Sequence, residues 1–158
     1  MIAKAATISH GGNAVRYSVN KDKAEIVKVN FLPDDISAEA MFQRMVLKQK
    51  EFSSIINKGR PLKRNVIRME ISPTKEESAG WTLADWVRLA NEYIRVFDSI
   101  DLSKKAKRAS AKFTNVKNSQ YVVALHHDAK SGIPHLHIDV NRVDMDGKVN
   151  DDHLIAER

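Results

Sequence analysis

Two segments near the end of the chain, Tyr121–His127 and His135–Val143, are rich in apolar and β-branched residues and are separated by Asp128-Ala129-Lys130-Ser131-Gly132-Ile133-Pro134. Strand-like runs joined through a glycine- and proline-containing turn read as a long antiparallel hairpin. In the second run Leu136, Ile138 and Val140 make one apolar side, so His135, His137, Asp139 and Asn141 project from the other. His126, at the end of the first run, is returned by the hairpin toward the histidine pair. Three imidazoles converging on one point leave coordination positions open for water and phosphate oxygens, the requirement of a catalytic metal site. Without such convergence they would be ordinary surface or interface histidines. His127 falls on the opposite face of its strand and is a weaker candidate. Asp128 or Asp139 is placed to orient a ligand through its second ring nitrogen. The chain has no cysteine, so thiolate metal sites, disulfides and cysteine nucleophiles are excluded.

The rest of the chain alternates strand and helix signals without a repeat or a linker. Ile2–Ile8 reads as a strand ended by Ser9-His10-Gly11-Gly12, where the glycines permit a tight turn or a close backbone approach, and residues 13–20, which include Tyr17, as a short helix. A second strand, Ala24–Phe31, closes at Pro33-Asp34-Asp35. Met41, Phe42, Met45, Phe52, Ile55 and Ile56 recur at helical spacing over Ser37–Lys58, which predicts a helix with these residues as core. Over Asn65–Ser72 the period becomes two, with Ile67, Met69 and Ile71 on one face and Val66, Arg68 and Glu70 on the other. Thr82-Leu83-Ala84-Asp85 is a capping-box start, followed by Trp86, Leu89, Ala90, Tyr93 and Phe97 as a buried stripe. Trp86 is therefore core rather than a base-stacking platform. Together these elements predict an α+β domain: a mostly antiparallel sheet with helices packed on one face and the metal site on the other. The length of 158 residues supports a single domain spanning 1–158.

The formal net charge of +6 favours encounter with polyanions but decides little by itself. Between Asp98 and Asn118 the chain carries Lys104, Lys105, Lys107, Arg108, Lys112 and Lys117 against two aspartates. That stretch is either a solvated loop or a track for a phosphate backbone. No run reaches the roughly 18 apolar residues of a spanning helix, and the N-terminus lacks a secretory h-region, so no membrane insertion is expected and a cytoplasmic location is.

The pattern His126-His127-Asp128, followed by Pro134-His135-Leu136-His137-Ile138-Asp139-Val140-Asn141-Arg142-Val143, resembles the third motif of mobilization relaxases, within the endonucleases named for two histidines flanking a hydrophobic residue. Asp144-Met145-Asp146-Gly147-Lys148 and the opening Met1-Ile2-Ala3-Lys4, with glycines before a tyrosine, fit the same family. The resemblance implies a metal-dependent nuclease that nicks single-stranded transfer-origin DNA and keeps the 5′ phosphate on a tyrosine, with magnesium or manganese as the working ion. Tyr17 is the tyrosine at the matching position. On the residues alone it is either that nucleophile or an anchor of the helix to the sheet. Glu70 lies where the family has a second motif, often a histidine, so it is a general base, an outer partner of a metal histidine, or a salt-bridge partner of Arg68. Asn141 and Arg142 match the motif's end; Asn141 is assigned to the active side and Arg142, like Arg68 and the basic segment, to DNA positioning.

Ligand chemistry alone ranks zinc, nickel and copper above magnesium at imidazoles. The rival readings are a noncatalytic DNA-binding accessory protein, which a disrupted histidine cluster would favour, a replication initiator or transposase of the same chemistry, and a hydrolase of small phosphate esters. Accessory mobilization proteins are further expected partners. Relaxases of this type usually continue past the position of His153, so a truncated chain or a minimal relative is also expected.

Overall fold

The hairpin is the centre of the sheet. In the computed structural model, which describes residues 1–158, the chain runs β1 (Ile2–Ile8), α1 (Gly11–Asn20), β2 (Glu25–Asn30), α2 (Ala38–Glu51), β3 (Val66–Ser72), α3 (Leu83–Ser99), β4 (Ser119–His126) and β5 (His135–Asp144). The five strands form one sheet in the order β1-β3-β5-β4-β2, and every adjacent pair is antiparallel. This is the expected α+β class. No helix is long and apolar enough to cross a membrane.

Register sorts the side chains into two faces. Val66, Arg68 and Glu70 stand opposite Asn141, Asp139 and His137, and Val122, Ala124 and His126 stand opposite Asp139, His137 and His135. The intervening residues Ile67, Met69, Ile71, Tyr121, Val123, Leu125, Leu136, Ile138 and Val140 form the other face and pack against Trp86, Ala90, Ile94 and Phe97 of α3. The apolar stripe of α3 makes it amphipathic, and Asp85 closes its start by accepting from the Thr82 backbone N–H at 2.7 Å.

One expectation changes. Helices are not confined to the face opposite the histidines. Val15 of α1 and Ala38, Met41 and Met45 of α2 pack over Val66 and Val122, on the histidine face but at its other end. The polar surface of the sheet is thus only half covered, and α1 ends beside the histidines. Gly11 and Gly12 are the first two residues of α1 rather than a turn before it. A Cβ on Gly11 would lie 2.5 Å from Val66 Cγ2 and 2.9 Å from Phe42 Cε2, so only glycine lets α1 start directly against β3 and α2.

α2 also stops earlier than its spacing suggested, at Glu51, and Ile55 is 73% exposed while Ile56 is buried. The first serves no core.

Candidate active site

The histidine cluster sits where β4 and β5 pass the last turn of α1. His126, His135 and His137 each offer one nitrogen to a group of atoms lying within 4.8 Å of one another, so the three could hold a metal ion. His126 is buried, and its Nε2–H donates to the Ser18 carbonyl at 2.7 Å. That carbonyl belongs to the last turn of α1, where backbone acceptors lack helical partners. The bond leaves His126 Nδ1 buried with no partner, and His137 Nε2 is in the same condition. Two orphaned imidazole nitrogens in one buried cluster fit a cation, because unpaired buried polar atoms are otherwise costly. The absence of thiolates and the three nitrogen donors leave the identity of the ion open.

Burial keeps His126 and His137 neutral. His137 is pushed down to about 3 by desolvation and then by the Arg68 guanidinium. His126 is lowered chiefly by desolvation, against the opposing pull of the Ser18 carbonyl. Neutral rings compete little with protons for a cation.

Tyr17 projects from α1 over this cluster. Its ring centroid is 5.5 Å from that of His126 and 5.7 Å from that of His137, and the residue is 42% exposed. The Arg68 guanidinium lies 5.1 Å and the Lys21 ammonium 5.2 Å from the same ring. Helical spacing explains the pose: Gly11, Ala14, Val15 and Ser18 form the buried stripe of α1, and Tyr17 stands at its edge.

The acidic and polar neighbours divide. Glu70 Oε1 is 3.5 Å from His137 Nδ1 and 3.9 Å from Arg68 Nε, so it belongs to the site. Asp128 was expected to orient a histidine through its second nitrogen, but Ser18 does that for His126. Asp128 pairs instead with Lys21 at 3.1 Å and stands 3.8 Å from His126 Nδ1, on the cation side. Asp139 touches no imidazole nitrogen; it is fully buried, and the Ser18 hydroxyl is the hydrogen-bonding group beside it. Burial pushes it up to about 6, against the pull of the Ser18 hydroxyl and Arg68.

Asn141 lies on the histidine face as expected but under α2, not at the cluster. Its amide donates to the Met45 carbonyl and Gln120 and accepts from Gln49 and the Val143 N–H. All its capacity is spent on holding α2 to β4 and β5. Arg142 is on the α3 face, donating to the carbonyls of Asn150 and Arg64 and to Asp152, so its guanidinium is engaged within the protein. The basic segment is also displaced from the histidines. Leu102, Ala106 and Ala111 form their own small core with Ile100 and Leu154, Lys105 pairs with Glu157, and Arg108 pairs with Asp151. Lys104, Lys107 and Lys112 belong to this same segment, which the Asp98 carboxylate ties to the end of α3 by accepting from Thr114 and the N–H groups of Val116 and Lys117.

Three basic residues that flank the site, Lys4, Arg16 and Lys21, were not among the sequence candidates. A hollow beside His135 is lined by Ile2, Lys4, Glu70 and Ser72, and another beside Tyr17 by Asn13, Arg16, Asn20 and Lys21. Their signal was periodic rather than clustered: Lys4 alternates onto the face of Arg68 and Glu70, and Lys21 follows Tyr17 by one helical turn.

Residues 17–158 match the family described as Relaxase: MobA/VirD2-like, nuclease domain. The chain belongs to this relaxase family. It is accordingly a DNA-nicking endonuclease domain, and the motif of residues 126–141 lies within the matched region. Neither the curated proteins nor the solved structures compared with this relaxase give a match.

Proposed function

We propose that this relaxase nicks single-stranded transfer-origin DNA through attack of Tyr17, leaving a 5′-phosphotyrosyl intermediate. The observation that carries the reading is the Tyr17 ring packed at 5.5 Å and 5.7 Å from two imidazoles of the three-histidine cluster. In the step, the Tyr17 Oη–P bond forms as the P–O3′ bond breaks. The phenol proton leaves to solvent or a nearby base, and the departing 3′ oxygen takes a proton from solvent to become a hydroxyl.

His126, His135 and His137 would hold the divalent cation, magnesium or manganese by family resemblance. Such an ion supplies Lewis-acid polarisation of the non-bridging phosphate oxygens. The protein's own groups do the rest. Lys21, on the Tyr17 ring, puts positive charge where the phosphate must approach. Glu70 is the acceptor within reach of His137 Nδ1 and is assigned to orienting that ring rather than to a general-base role. Lys4, Arg16 and Lys21 supply the basic lining along the route past the cluster.

The intact histidine cluster disfavours a noncatalytic accessory protein, which has no need of it. The test is denaturing electrophoresis of labelled single-stranded oligonucleotides from the origin region, with manganese or with chelator. Wild type should give a slow-migrating adduct and a 3′-hydroxyl fragment only with metal. Tyr17→Phe should give neither, and His135→Ala should lose both through loss of metal. An adduct undiminished in Tyr17→Phe overturns the proposal.

A further inference from the structure

The three histidines are not equally ready to bind a cation. His126 donates from Nε2 to the Ser18 carbonyl at 2.7 Å, and His135 Nδ1 faces the Ile133 carbonyl at 3.4 Å. A carbonyl only accepts, so each ring carries its proton on that side and presents a lone pair from its other nitrogen. His137 is held the opposite way. Its Nδ1 faces Arg68 Nη2 at 3.1 Å. A guanidinium has only donors, so Nδ1 accepts and the proton of the neutral ring stands on Nε2. That is the nitrogen buried without a partner toward the cluster, and a cation cannot bind it while it is protonated.

Arg68 has a second seat. Asp139 is its direct partner across β3 and β5, so the two side chains leave the same face roughly 5 Å apart at Cβ. Asp139 is fully buried with no ion-pair partner and only the Ser18 hydroxyl beside it, and Arg68 Nε is buried without a hydrogen bond, 3.9 Å from Glu70 Oε1. A buried guanidinium nitrogen without a hydrogen bond, across the strand pair from a buried carboxylate without an ion-pair partner, marks an ion pair that this state of the protein does not make. Glu70 Oε1, 3.5 Å from His137 Nδ1, is the acceptor that remains once Arg68 leaves.

We propose that Arg68 is a latch on the metal site: without metal it holds His137 in the non-ligating form, and on metal entry it passes to Asp139 while Glu70 accepts from His137 Nδ1–H. The ring loses the Nε2 proton to solvent and gains one at Nδ1 from solvent, so its charge is unchanged. Like charge on the cation and the guanidinium drives the same movement. The swing also draws the guanidinium off the Tyr17 ring, where it stands 5.1 Å from the centroid, so metal loading uncovers the tyrosine. Arg68 and Asp139 are positioning residues in this scheme.

The inference rests on His126, His135 and His137 being a metal site, and its test separates the two. Mn2+ is titrated calorimetrically into wild type, Arg68→Met, Asp139→Asn, the double variant and His137→Ala. Arg68→Met should bind Mn2+ about tenfold more tightly than wild type, the worth of one hydrogen bond from a charged donor. Asp139→Asn should weaken binding more in the wild-type background than beside Arg68→Met, because only the former loses a seat for the guanidinium. A purely Coulombic aspartate gives equal losses in both backgrounds, and that result overturns the latch. On wild type alone, imidazole nitrogen NMR should show His137 protonated at Nε2 without metal and at Nδ1 with Zn2+. The same tautomer in both states overturns the latch while leaving the metal site standing. Wild type that binds Mn2+ no better than His137→Ala overturns the metal site itself, and the latch with it.

Discussion

Asp139 makes the metal-free protein less stable than it need be, and the cost depends on pH. Its carboxyl is raised from the usual 3.8 to about 6, first by desolvation, because it is fully buried, against the weaker pull of the Ser18 hydroxyl and Arg68. A carboxylate whose pKa is higher in the folded state destabilises that state wherever it is ionised. The penalty is therefore full above about 6, falls as pH drops, and vanishes below the unfolded value. A rise of about 2 pH units corresponds to about 3 kcal/mol at about pH 8, and to roughly half that at about pH 5. Asp139→Asn keeps the shape and removes the charge, so in chelator it should be more stable than wild type by about 3 kcal/mol at the higher pH. The gain should shrink by half at the lower one. Urea unfolding followed by circular dichroism at both pH values measures it. A stability difference that does not change with pH, or one that grows toward acid, refutes the reasoning. A costly buried charge that the fold does not require is what a residue kept for a second state of the site would look like.

Gly11→Ala should lower stability by about 1–3 kcal/mol, read as a fall in Tm, because its Cβ would press on Val66 and Phe42 where α1 meets the sheet. Lys4→Ala with Lys21→Ala should weaken single-stranded DNA binding and reduce the slope of log affinity against log salt by about 1.4, or about 0.7 per phosphate contact. Lys104→Ala with Lys107→Ala should leave both nearly unchanged, since that segment is folded against the end of α3. Fluorescence anisotropy over a salt series distinguishes the two pairs.

What was legible in the sequence was periodic. The alternation of residues 135–143 placed His137, Asp139 and Asn141 on one face, as the register of β5 with β3 and β4 has it. The capping box and apolar stripe of α3 were equally plain. What alternation cannot convey is which part of a face another element covers. Asn141 is on the correct side, but α2 lies over it, and its amide is consumed there. Nor does a run of positive charge report its partners. Lys105 and Arg108 meet Glu157 and Asp151, residues more than 40 positions away by the numbering of the pairs. The helix over Ser37–Lys58 was overextended because Ile55 and Ile56 kept the spacing after the backbone had left it. Gly11-Gly12 fits a tight turn or a close backbone approach, because glycine's small size and its backbone freedom leave the same mark in a sequence; here the close approach is what counts.

The most direct measurement of the central claim is the identity of the residue joined to DNA. Wild-type protein is incubated with manganese and single-stranded origin oligonucleotides, the adduct is digested with trypsin and nuclease, and the modified peptide is sequenced by mass spectrometry. The chain has three tyrosines, and two of them, Tyr93 and Tyr121, pack with the α3-side core. The account predicts that the phosphonucleotide is on Tyr17, with its yield abolished by chelator. A nucleotide on any other residue, or on Tyr17 with equal yield in the absence of metal, contradicts it.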